Sequence, residues 1–120
     1  MAEEVLDLDI LRPATKKVKL AGKEIDVSFI PCGITFEVDS IIRELSGFDE
    51  EKIKTDETTI KRAFDLALNL CSAFCSLKHP EMTPDWFRLN TSPEQVNALT
   101  NKIKQALSDS YIGVERYGKN

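Results

Sequence analysis

The chain has 120 residues, of which 42% are hydrophobic, and its 20 acidic and 16 basic side chains leave a formal net charge of −4. This size and apolar content predict one soluble domain with a single modest core, and the acidic balance excludes the basic excess that a nucleic-acid module uses against phosphates. No apolar run approaches the ~20 residues needed to cross a bilayer, and the acidic start Met1-Ala2-Glu3-Glu4 lacks the basic flank of a signal peptide.

Residues 1–15 mix acidic and apolar positions, with Leu6, Leu8 and Ile10 alternating against Asp7 and Asp9 up to Pro13. The segment reads either as a flexible tail or as an extended arm that pairs with a neighbouring subunit. From Lys16 the alternation is clearer. Val18 and Leu20 are followed by Ala21-Gly22-Lys23-Glu24 and then by Ile25, Val27 and Phe29, which predicts a β-hairpin with one apolar face. Lys16, Lys17, Lys19 and Lys23 cluster there and are expected to be solvated edge lysines that discourage sheet-to-sheet pairing.

Pro31-Cys32-Gly33 breaks the strand. Val38, Ile41, Ile42, Leu45 and Phe48 then recur at helical spacing, predicting an amphipathic helix from about Thr35 with Gly47 as a left-handed stop. Residues 49–57 are a charged surface connection with room for one helical turn.

The next stretch, 59–78, is expected to organise the fold. Between Ala63 and Leu77 its polar residues are Asp65, Asn69, Ser72 and Ser76, which fall within a ~60° arc of a helix, and the remaining perimeter is Leu, Ala, Phe and Cys. Thr58 or Thr59 is the expected cap and Pro80 the stop. One small core would struggle to cover such a rod, so self-association is expected. The residues expected to form its interface are Leu66, Leu70, Ala73, Phe74 and Leu77, joined by Trp86 and Phe87. Asp65 must reach solvent, a cation or a donor.

Thr83-Pro84-Asp85 predicts a capped short helix carrying Trp86, Phe87 and Leu89, and Ser92-Pro93-Glu94-Gln95 is a capping box. The last helix places Val96, Leu99, Ile103, Ala106, Leu107 and Ser110 on one face, and the tail 111–120 is expected to fray. The whole predicts an α+β fold, an N-terminal hairpin packed on a mainly helical bundle. The arm spans 1–15, the domain 16–110 and the tail 111–120.

No catalytic constellation emerges. One histidine, no Gly-x-Ser-x-Gly elbow and five isolated glycines leave neither a nucleophile-base set nor a phosphate loop, so no catalytic or cofactor-binding residue is expected. Cys71, Cys75 and His79 stand four apart, and Cys32 would complete a Cys₃His zinc shell. Without a Cys-x-x-Cys knuckle, and with both thiols on an apolar helix, no metal is expected. An odd set of three cysteines reads as reduced thiols of a cytosolic protein.

The hairpin Lys17-Val18-Lys19-Leu20-Ala21-Gly22-Lys23-Glu24-Ile25-Asp26-Val27 leads into the amphipathic helix Phe36 to Leu45 and then into an all-helical half. Over roughly residues 16–110 this layout, in a small acidic protein, resembles the tail assembly chaperones of long-tailed bacteriophages and their prophage relatives. The resemblance implies a non-catalytic protein of the bacterial host cytoplasm, absent from the mature virion. It further implies spiral or ring-like oligomers that coat the tape measure protein and recruit tail tube subunits, with no nucleic-acid or membrane partner. The other class left open is a small acidic adaptor or regulatory domain that binds protein as a monomer or dimer.

Overall fold

The computed structural model describes residues 5–11 and 13–118, with side chains as far as 109. It is an antiparallel hairpin, strands β1 (Lys17–Leu20) and β2 (Lys23–Asp26), followed by α1 (Thr35–Ser46), α2 (Lys52–Thr55), α3 (Glu57–Cys75), α4 (Pro84–Asn90) and α5 (Pro93–Gly118). The α+β architecture expected from the alternating and helical periods is the one observed.

The hairpin register pairs Leu20 with Lys23 and Val18 with Ile25, so the loop is only Ala21-Gly22, shorter than the four-residue turn expected. Both loop residues take positive φ, 49° and 80°. That geometry matches strand twist but strains a residue with a Cβ. Ala21→Asn should therefore raise stability by about 0.5–1 kcal/mol, read as a higher thermal midpoint, because asparagine tolerates the left-handed region better. Leu20, Ile25 and Val27 point into the core. The ladder stops at Asp26, after which the Ser28 hydroxyl accepts from the Lys16 amide at 2.7 Å.

Helix α1 begins at Thr35, as its pattern predicts, and buries Val38 completely. Gly47 is not left-handed: its φ is −82° and its amide still reaches the Arg43 and Glu44 carbonyls. Phe48 lies under the Arg62 guanidinium, 5.7 Å from the ring centroid, a cation–π contact with a neighbouring helix.

Helix α3 starts two residues and ends three residues earlier than expected. Its cap is Asp56, whose carboxylate accepts from the Thr59 amide at 3.2 Å and the Thr59 hydroxyl at 2.6 Å. Those bonds, the side-chain one foremost, hold the Asp56 carboxyl below its ordinary range. The Thr83 cap, Pro84 at the first turn and the reciprocal Ser92–Gln95 box are all present. Helix α5 continues to Gly118 where a frayed tail was expected; Gly118 is its last described residue, and the side chains of Ser110 and the tail lie outside the described ones.

The core corrects the main expectation about α3. Ala67, Leu68, Leu70, Cys71, Phe74 and Cys75 are all buried within the chain's own fold. Their cover comes from the hairpin, from α1, α4 and α5, and from Met82 in the α3–α4 loop. Ser72, assigned to the polar arc, is buried as well, because its hydroxyl donates to the Met82 carbonyl at 2.9 Å. A buried hydroxyl with a partner avoids the cost of an orphaned one, so the polar face of α3 is narrower than expected and most of its apolar face is covered within the chain.

Candidate functional site

Half of the large apolar side chains left exposed among the described residues lie at the N-terminus; the others, Phe36, Ile53, Ile60, Leu77 and Leu89, are scattered over the helical part. Val5, Leu6, Leu8, Ile10 and Leu11 are 85, 79, 62, 74 and 63% exposed. The segment is not a strand here. It forms one 3₁₀ turn, Leu8–Leu11, that buries nothing, preceded by an Asp7 carboxylate that accepts from the Asp9 amide at 3.0 Å. Nothing in the chain covers these side chains, and apolar surface of this kind is the sort that another molecule can cover.

Of the seven residues proposed as an interface, Leu70 and Phe87 are 0% exposed and Phe74 is buried, so these three are internal packing and not available to a partner. Leu66, Ala73 and Trp86 are half-buried, and Leu77 is 49% exposed at the end of α3. Of the seven, Leu66 and Ala73 on α3 and Leu77 just beyond it thus remain outward, on the side of Asp65 and Asn69. Asp65 is solvent-exposed, 3.7 Å from the Arg88 guanidinium.

The two larger concavities beside α5 are a cleft and a groove. A broad cleft of about 450 Å³ has Leu45, Ile53, Ile60, Phe64 and Ala67 as an apolar floor and Asn101 and Lys104 at its rim. A narrower groove of about 160 Å³ runs between β1 and α5, lined by Val18, Lys19 and Leu20 on one side and by Ala98, Leu99 and Lys102 on the other. Neither Lys19 nor Lys102 forms an ion pair with a described residue.

The two edges of the hairpin differ. The β2 edge is covered by the turn after α3. His79 Nε2 lies 3.2 Å from the Glu24 carbonyl, Lys23 donates to Glu81 at 2.6 Å, and Lys78 lies 4.0 Å from Asp26. The Lys23 hydrogen bond is the main reason that the Glu81 carboxyl sits below its usual range. The β1 edge has no strand beside it among the described residues. Edge asymmetry of this kind is invisible to a sequence pattern, since it depends on where the loop after α3 folds.

The cysteines do not assemble. Cys32 is exposed, Cys71 and Cys75 are buried, and no group of three His, Cys, Asp or Glu side chains among the described residues is placed to hold a metal ion. His79 is turned toward Glu24 and Glu81. Burial pushes the Cys71 thiol up to about 11, against a smaller opposing pull from its 3.4 Å contact with the Thr100 hydroxyl. Burial also pushes Cys75 up to about 12, with Cys71 adding to the effect. Thiols held protonated are poor nucleophiles and poor ligands. Alkylation of the native protein at pH 8 should accordingly label Cys32 alone, and mass spectrometry after denaturation should find the other two thiols unmodified.

No described helix is long and apolar enough to cross a membrane. Compared with protein-family models, with curated proteins and with solved structures, the chain matches none.

Proposed function

We propose that this chain is a non-catalytic tail assembly chaperone of a long-tailed bacteriophage or prophage. In this reading it self-associates in the host cytoplasm, coats the tape measure protein and recruits tail tube subunits while the tail is built, without entering the mature virion. The observation that carries the proposal is the exposed apolar arm, Val5 to Leu11, on a domain whose own core is already complete. Such a surface is suited to contacts between molecules. The layout of hairpin, amphipathic helix and helical half supports the same reading. The cleft over α3 and α5, with its apolar floor and polar rim, suits one face of a guest helix. An acidic surface keeps such a protein off host DNA.

Absence of catalysis is part of the proposal. The broad cleft has Lys104 as its single ionisable lining group, and the two thiols with raised pKa are buried and protonated. Active sites bring together several groups with shifted pKa in one pocket.

A second reading, a small acidic adaptor or regulatory domain that binds protein as a monomer or dimer, draws support from the central helix, most of whose apolar face is covered within the chain. Co-expression with a phage tape measure protein separates the two. The chaperone reading expects the tape measure protein to stay in solution and to co-purify with several copies of this chain. A strict monomer that leaves the tape measure protein unbound would sink it and favour the adaptor.

A further inference from the structure

The arm and the outer edge of β1 are both unfinished, and their patterns complement each other. Strand β1 reads Lys17-Val18-Lys19-Leu20, with Leu20 buried, Val18 half-buried and both lysines exposed. The arm reads Leu6-Asp7-Leu8-Asp9-Ile10, the same alternation with the opposite charge. We propose that the arm of one copy, Val5 to Leu11, adds as a third strand along the open edge of β1 in a second copy.

The backbone is prepared for this. The two-residue loop and the bond from the Val27 amide to the Lys16 carbonyl commit positions 16, 18 and 20 to β2. In an antiparallel pair the alternate residues then turn their main-chain groups outward, so Lys17 and Lys19 present amides and carbonyls to the open edge. A peptide laid there gains main-chain hydrogen bonds, and alternate side chains supply the specificity. Leu6, Leu8 and Ile10 would extend the apolar face toward Ala98 and Leu99 across the groove. Asp7 and Asp9 would stand beside Lys17 and Lys19 on the solvent face, with Lys102 on the groove wall. Opposite charges across neighbouring strands are favourable and like charges are not.

The same lysines explain why the edge selects the arm. Two β1 edges brought together would oppose lysine to lysine, which blocks direct edge pairing. The β2 edge does not compete, because His79 and Glu81 already cover it. The arm gives up little on extending, since its single 3₁₀ turn buries no residue. In this fold a chain's own arm leaves its groove open and stays exposed, so the occupant is a second copy. Arm and edge are different patches, and such heterologous contacts propagate into rings or spirals. The inference deepens the self-association in the proposed function and rests on that reading.

The test uses the full chain, with mass by light scattering over a dilution series and hydrogen exchange resolved at single amides. Mass should rise with concentration, and the Lys17 and Lys19 amides should slow by about tenfold or more in the associated state. The Leu8→Asp, Ile10→Asp double variant alters side chains that pack on nothing in the chain, so the fold should persist while the dissociation constant rises about a hundredfold. Ala98→Glu with Lys102→Glu, at exposed α5 positions on the receiving wall, should weaken association in the same direction. Wild-type association by the arm variant, or equal exchange of Lys17 and Lys19 in monomer and oligomer, would overturn the arm-to-edge contact. Tape measure co-purification by the same proteins would still report on the chaperone reading. Slowed Lys17 and Lys19 amides in a strict monomer would mean that the arm folds onto its own edge, which also overturns the exchange between copies.

Discussion

Phe87→Ala is expected to lower the unfolding free energy by about 3–5 kcal/mol, a large part of the 5–15 kcal/mol typical of a small domain. Phe87 is 0% exposed and lies edge-on to Trp86, with ring centroids 5.1 Å apart. It is the one fully buried side chain of α4. A seven-residue helix cannot persist on its own hydrogen bonds, so truncating this ring removes packing and loosens the element that carries it. Leu89, on the same helix and 85% exposed, supplies the control. Leu89→Ala should change stability by no more than about 0.5 kcal/mol. Urea unfolding of both variants decides the matter, and comparable midpoints would mean that α4 is not anchored through Phe87.

That contrast also shows where the sequence is legible and where it stops. Spacing places Phe87 and Leu89 on one short helix, and Thr83-Pro84 marks its start, because caps and periods are local. Neither signal says which apolar side chain turns inward. The same holds for α3. Its apolar perimeter is plain in the sequence, but its cover is assembled from Leu20 and Ile25 of the hairpin, Val38 of α1, Met82 of a loop and Ile103 of α5. These are contacts between residues distant in sequence, so the helix looked too greasy for its own domain. Ser72 misled for a related reason: its polarity suggests a solvent face, whereas the Met82 carbonyl that satisfies it is ten residues away. Glycine after a helix is often left-handed, which makes Gly47 resemble such a stop in the sequence, yet nothing obliges that geometry. At the candidate site, the alternation of the arm and the lysines of β1 were both visible. That the arm stays out of its own core, and that one hairpin edge is covered while the other is open, required the placement of the 79–81 turn.

Alkaline titration should expose the second large effect. Cys71 and Cys75 ionise near 9.0 in an unfolded chain but only at about 11 and about 12 in the folded one. A folded-state pKa raised above the unfolded value means that the folded protein holds these protons more tightly. The associated stability is complete below pH 9 and is lost as pH rises through 9 toward 11 and 12. At 1.36 kcal/mol per unit, the two thiols together should remove about 2–5 kcal/mol by pH 11. The physical cause is desolvation: both sulfurs are buried between α3 and its covering helices, Cys71 facing the Thr100 hydroxyl and the Val96 carbonyl, and a thiolate there would lack the water that stabilises it. Alkali acts on the rest of the chain as well, so the informative quantity is a difference. A Cys71→Ala, Cys75→Ala variant will start less stable, because it leaves small cavities, but its stability should fall less steeply between pH 9 and 11. Parallel slopes in the two proteins would show that these thiols are not held protonated by the core. The native labelling of Cys32 alone at pH 8 would then lose its explanation too, since both results follow from the same dry environment around α3.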